Sequence, residues 1–155
     1  MGVVVLLIRV AIGVLLIVAG ALKAHDGVSL TASTIAGYRI LPQPVIPPLG
    51  LVLPYFEMGL GAYLTLGLFT RSAGFVAVAQ FVVFAGAVAS LVVRHIPANC
   101  GCFGSGTNTP PSWGHVAVDL ALAALCLLVA LRGPGPLAVD AYLGRRSALD
   151  EAHEA

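Results

Sequence analysis

Two cysteines separated by one glycine, Cys100-Gly101-Cys102, are the residues best suited to covalent chemistry in this chain. Glycine between them allows the tight turn that brings two sulfurs together. A disulfide across so short a loop is strained, because the bond prefers Cα atoms about 5.5–6 Å apart. Strain makes such a bond easier to reduce and a better oxidant. A loop this small yields little chain-entropy stabilisation, so the pair suits electron exchange better than stapling. Metal binding is the alternative. His95 and His115 flank the same loop and would complete a Cys/His set with Cys100 and Cys102. Zinc sites usually space paired cysteines by two to four residues. A one-residue gap suits a redox pair or a soft copper site. The spacing leaves redox, metal and idle-thiol readings open. Cys126 shares a helical face with His115, Asp119 and Leu122, by spacings of three and four. In that setting cysteine behaves as a small hydrophobe.

The charged residues are few and oddly placed. The 155 residues are 59% hydrophobic and 10% charged, with a net charge of +1, and the mean hydropathy is +0.98. Soluble domains carry roughly 25% charged residues. An ordinary soluble enzyme is thereby excluded, and no basic face exists for a nucleic acid. The lipid bilayer is the expected partner. A charge in hydrocarbon costs at least about 2.5–3.5 kcal/mol, so each one inside an apolar run needs a partner. Arg9 shares a helix face with Gly13, Leu16, Gly20 and Lys23, and Glu57 shares one with Pro54, Gly61, Thr65 and Leu68. Counted from the span ends, Arg9 and Glu57 reach similar depths and are expected to pair. Asp119 sits just inside its span, where Lys23, Arg94 or His95 could neutralise it by snorkelling. A cation near a thiol lowers its pKa and raises the reactive thiolate. These residues are therefore expected to support the cysteine pair.

The elements that position these groups follow from hydropathy. Runs 3–22, 48–69, 72–93 and 114–131 are each apolar enough to cross a membrane. No segment alternates as a barrel strand does. The expected fold is all-α: a four-helix integral membrane bundle over residues 1–133, then a flexible cytoplasmic tail over 134–155. The first run lacks a basic leader and exceeds a signal peptide's usual apolar length, so it reads as a retained anchor. The loop from Lys23 to Pro47 is apolar enough near 30–40 to hold a short interfacial helix. Thr70–Arg71 reads as the turn of a helical hairpin. The termini side has Arg71, Arg132, Arg145 and Arg146 outside the spans, against Lys23, Arg39 and Arg94 on the other. This bias places both termini in the cytoplasm and both long loops outside.

Together these motifs resemble the MauE branch of the DoxX-like four-helix membrane proteins, named for methylamine utilisation. The resemblance rests on Arg9-Val-Ala-Ile-Gly13, Ala19-Gly20-Ala-Leu-Lys23, Leu53-Pro54-Tyr-Phe-Glu57, Arg71 and Asn99-Cys-Gly-Cys-Phe-Gly104. It covers roughly residues 5–130. It implies thiol–disulfide chemistry on the outer side of the inner membrane, with Cys100 and Cys102 reacting and Phe103 and Gly104 completing their motif. The partner would be an extracytoplasmic thioredoxin-like or disulfide-containing protein, or a membrane complex. The architecture is also similar to quinone-linked disulfide generators. A quinone is then one candidate for the membrane end of the electron path, with Trp113, Phe103 and Tyr55 as candidate pocket aromatics. The alternative is a non-catalytic membrane subunit or assembly factor whose cysteines are structural or bind copper or zinc. Oligomeric state and direction of electron flow do not follow from the sequence.

Overall fold

A backbone in lipid must satisfy its own N–H and C=O groups, so long apolar runs fold as helices. The computed structural model describes residues 2–98, 101, 110–133, 135, 138–140 and 142. Among these there is no strand, and four helices are long and apolar enough to cross a membrane. They are α1 (Gly2–Asp26), α3 (Ile46–Leu66), α4 (Thr70–Val93) and α5 (Trp113–Arg132). The helix expected in the first long loop is present as α2 (Val28–Gly37). The chain is thus a multi-pass, all-α membrane protein, as the hydropathy pattern predicts.

Small residues set the packing. Helix α1 lies chiefly on α3, and α4 chiefly on α5. A side chain at Gly20 would meet the Pro54 carbonyl oxygen at 2.5 Å, and one at Gly61 would meet the Gly13 carbonyl oxygen at 2.5 Å. Such contact lets membrane helices gain dispersion energy where no hydrophobic force drives association. Leu16, Leu60, Leu64, Phe81 and Cys126 fill the core between the helix pairs. Valine and leucine side chains such as Val3, Leu7 and Val83 are exposed on the outer faces, where lipid would cover them. Near the loop end a smaller cluster joins Ala85, Val88 and Val116, with Tyr38 packed against it.

The hairpin turn falls earlier than Thr70–Arg71. Helix α3 stops at Leu66 because Gly67 takes a left-handed conformation, with φ 72°, and closes the helix on the Tyr63 carbonyl. Thr70 is already the first residue of α4. The tail also differs from expectation in its described part. Ala138 is 3% exposed. Asp140 accepts the backbone N–H groups of Phe69 and Thr70 at 2.9 and 2.8 Å. Its own N–H donates to the Gly67 carbonyl at 3.2 Å. Those orphan N–H groups at the start of α4 attract a carboxylate, and this holds the chain near residue 140 against the turn.

Candidate site at the loop end of the bundle

The loop end is where α1 and α4 finish and where α3 and α5 begin. Lys23, in the last turn of α1, reaches across to Glu57 of α3. Its ammonium donates to both carboxylate oxygens, at 2.9 and 2.7 Å. The two side chains are 6% and 1% exposed. Gln80 of α4 donates its amide N–H to Glu57 Oε1 at 3.3 Å, so three helices meet on one carboxylate. The Phe84 ring lies 5.7 Å from the Lys23 nitrogen, within cation–π range. Thr31 of α2 donates its hydroxyl to the Lys23 carbonyl at 3.1 Å, which ties the short helix to the end of α1.

The expected Arg9–Glu57 pair is therefore corrected to Lys23–Glu57. Depth counted from span ends misplaces the register, which the glycine contacts set instead. Gly13 faces Gly61 and Thr65, and Gly20 faces Pro54 and Met58. Arg9 then falls beside Gly67, about 15 Å along α3 from Glu57 at 1.5 Å per residue. It is 1% exposed, and Asp140 lies within its electrostatic reach.

Asp119 of α5 is 7% exposed. Its Oδ2 has no hydrogen-bond partner among the described residues. The His115 ring and the Lys23 ammonium are the groups whose electrostatic influence reaches it. Arg94 and His95, also expected to serve Asp119, turn elsewhere. Arg94 donates to the Tyr38 and Arg39 carbonyls at 3.1 and 3.4 Å, clamping the end of α2 to the end of α4. His95 lines a separate polar cavity with Arg39 and Arg94. Both Arg39 and His95 take left-handed φ values, 52° and 51°, which are uncommon for such residues. His115 lies 2.8 Å from the Ser112 hydroxyl through Nδ1. Among the described residues no group of three His, Cys, Asp or Glu is placed to hold a metal ion. Cys100, Cys102, Phe103 and Gly104 lie outside the described residues.

Above the ion pair, α2, α3 and α4 enclose a cavity of about 510 Å³. Asp26, Thr31 and Tyr38 line it at the loop end and Leu53 and Val83 deeper, while the Lys23 ammonium sits beside Phe84 at the level of Glu57. Burial, then the nearby Asp119 carboxylate, push the Tyr38 phenol up to about 12, so it stays protonated. Gly101, the residue between the two cysteines, is on the same wall. It has φ 65°, and a side chain there would meet the Thr34 methyl of α2 at 2.5 Å. Glycine alone meets both demands. Of the suggested pocket aromatics, Tyr55 and Trp113 are not on this wall. They are 61% and 60% exposed and face outward.

Sequence reasoning missed Gln80, Tyr38 and Phe84. Gln80 carried a usable signal, since an amide in the middle of an apolar span needs a partner. Tyr38 and Phe84 carried none, because aromatic residues near membrane interfaces are routine.

The family described as methylamine utilisation protein MauE matches residues 1–132. Methylamine utilization protein MauE of Paracoccus denitrificans is 35% identical over 117 residues, which are 75% of this chain and 63% of that relative. The chain thus spans less than two thirds of that relative's length. No solved structure matches the chain. The family match takes in every helix that supplies Lys23, Glu57, Gln80 and Asp119, and the chain belongs to the MauE family.

Proposed function

We propose that this protein serves methylamine utilisation as a membrane thiol–disulfide exchanger, working through Cys100 and Cys102 outside the cytoplasm. The supporting observation is the place of Gly101, against α2 on the wall of the loop-end cavity. One thiolate attacks a disulfide sulfur of the partner protein. A mixed disulfide forms, and one partner thiolate leaves. The second cysteine then attacks the mixed disulfide, which closes the Cys100–Cys102 bond and releases the partner with two thiols. Run in reverse, the same steps oxidise a partner. Lys23, paired with Glu57, is on that wall together with Asp26, and the Arg94 guanidinium at the end of α4 is the fixed positive charge in this reading, since a cation near a thiol favours thiolate. Phe103 and Gly104 complete the motif. Residues of the loops face the extracytoplasmic side of the inner membrane, with both termini in the cytoplasm, in keeping with the charge bias.

Alkylation trapping in intact cells of a methylamine-utilising strain that lacks its own MauE tests this reading. The wild-type pair is expected to shift between thiol and disulfide when the cells are moved onto methylamine. The Cys100→Ser/Cys102→Ser variant is expected to abolish growth on methylamine. A pair fixed in one state, with the double variant still supporting growth, sinks the exchanger reading.

A further inference from the structure

We propose that the polar cavity between α2 and residues 94–98, just past α4, binds the phosphate of an anionic phospholipid. This goes beyond the exchanger reading and does not depend on it. The cavity measures about 520 Å³, inside the usual range for small-molecule sites. Arg39, Arg94 and His95 line it together with Ser33 of α2, and no Asp or Glu among the described residues is on its wall. The Arg39 guanidinium has neither a carboxylate nor another hydrogen-bond partner among those residues. Arg94 is held by the Tyr38 and Arg39 carbonyls through Nη1 and Nη2. Those contacts fix its plane without cancelling its charge. Guanidinium groups match phosphate oxygens two at a time, and an imidazole offers an N–H in either tautomer.

The two helix ends carry a second signal. Helices α2 and α4 both close on a left-handed residue, Arg39 with φ 52° and His95 with φ 51°. The Arg39 N–H returns to the Ala36 carbonyl, and the His95 N–H to the Val92 carbonyl. Glycine is the residue this position favours, as at Gly67 after α3. Here the chain keeps an arginine and a histidine instead, and both line the same cavity. Ending a helix does not require either side chain. Their level in the membrane supplies the source of the anion. Helix α4 has 24 residues, about 36 Å at 1.5 Å per residue, against a hydrocarbon core about 30 Å thick. Arg94 follows it and so stands among the head groups. Val93 and Ile40, the chain neighbours of Arg94 and Arg39, are exposed, so acyl chains reach up to both arginines. A lipid phosphate is thus already at hand. A head group that carries its own ammonium gains less from this wall than one that does not.

Native mass spectrometry tests the site on the full chain, released from neutral detergent holding equal amounts of phosphatidylglycerol and phosphatidylcholine. Phosphatidylglycerol is expected to be retained at least tenfold better. Arg39→Gly separates the side chain from the helix end, because glycine suits that backbone. It should keep or raise the melting temperature and weaken phosphatidylglycerol about fivefold, as the loss of one arginine near a charged surface does. Adding His95→Gly should weaken it further at no cost in melting temperature. Ser33→Trp, which fills the cavity without changing its charge, should weaken it as well. Arg71→Gln, at the opposite end of α4, should not. Equal retention of the two lipids, or an Arg39→Gly chain that binds as the wild type does, overturns the proposal. Displacement of the lipid by millimolar inorganic phosphate overturns the lipid source and leaves a site for a dissolved anion. Displacement by hexaglutamate but not by phosphate overturns it in favour of an acidic peptide.

Discussion

Helix α1 buries two cations on one face, and the two ends of the bundle treat them differently. Arg9 and Lys23 are 1% and 5% exposed. At the termini end, Arg9 lies under the α3–α4 turn, and the chain near Asp140 closes over it with a carboxylate that also caps α4. At the loop end, Lys23 meets Glu57 deep between helices, and beyond it stand an open cavity and the Asp119 oxygen. One end is closed by local backbone geometry and capping. The other keeps a cavity of about 510 Å³ beside its buried charges. Buried polar atoms without a hydrogen-bond partner occur at both ends, Thr70 Oγ1 at one and Asp119 Oδ2 at the other, so it is the cavity, whose lining forgoes packing contacts, that sets the loop end apart.

The largest effect should come from splitting the Lys23–Glu57 pair. Removing one member of a buried pair leaves an uncompensated charge and typically costs about 3–5 kcal/mol, while replacing both with apolar residues is often neutral. Glu57→Leu should lower unfolding resistance in mixed micelles by that order. Adding Lys23→Met should restore most of it. A double variant as weak as the single would mean that the pair is not the unit, and that Lys23 is held by the cavity's other groups.

Much of this was legible in the sequence. Four spans and the short helix in the first loop follow from hydropathy alone. So do Arg9 and Glu57 as buried charges in need of partners, whereas Lys23 reads from hydropathy as a cation just outside its span. Their pairing was not legible from depth, since depth depends on span ends that shift by several residues at Gly67. It was latent in the glycines, because aligning Gly13 with Gly61 and Gly20 with Pro54 brings Lys23, not Arg9, to Glu57. Gln80 and Tyr38 come from helices distant in sequence, and only tertiary packing brings them there. The cysteine pair was legible as chemistry. Its neighbourhood was not, because Gly101 is placed by Thr34 of a loop helix.

The register that separates the two ends can itself be broken. Gly61→Leu must displace the Gly13 backbone or Ile17, and overpacking of this kind costs about 1–3 kcal/mol. It should weaken the Lys23–Glu57 contact as well, because the same interface carries both. A methyl group added at Gly59 would meet no atom within 4 Å. Gly59→Ala should therefore be neutral or stabilise by up to about 1 kcal/mol through helix propensity. Equal losses from both substitutions, in the same micelle assay, would remove the register argument.

At the termini end, Asp140→Ala should cost about 1 kcal/mol, typical of a lost helix cap, and leave lipid retention at the loop end unchanged. The pH dependence has a definite sign. Burial raises the Asp140 carboxyl, but the Thr70 and Phe69 N–H groups and Arg9 outweigh it and hold the group below its ordinary value. A carboxyl lowered by folding stabilises fully above its unfolded pKa, about 3.9, and loses that contribution as pH falls through the folded value. The gap between wild type and Asp140→Asn should thus be full at pH 7 and shrink below about pH 4. A gap that grows on acidification would contradict the cap.

The smallest effect belongs to Thr31, and it bears most directly on why the cavity stays open. Its hydroxyl donates to the Lys23 carbonyl at 3.1 Å, a tie between α1 and the helix that roofs the cavity. Hydrogen bonds between membrane helices average about 0.6 kcal/mol, so Thr31→Val should barely move the unfolding curve. It should act on the roof instead. Helix α2 also packs through Ala32 on Gly50 and is clamped at its far end by Arg94, so it stays docked when one tie is lost. A docked but looser α2 should speed proton exchange at the amides of residues 28–31 and leave those near Tyr38 unchanged. Exchange that rises along the whole of α2 would mean that Thr31, rather than the Gly50 contact and Arg94, holds the roof in place.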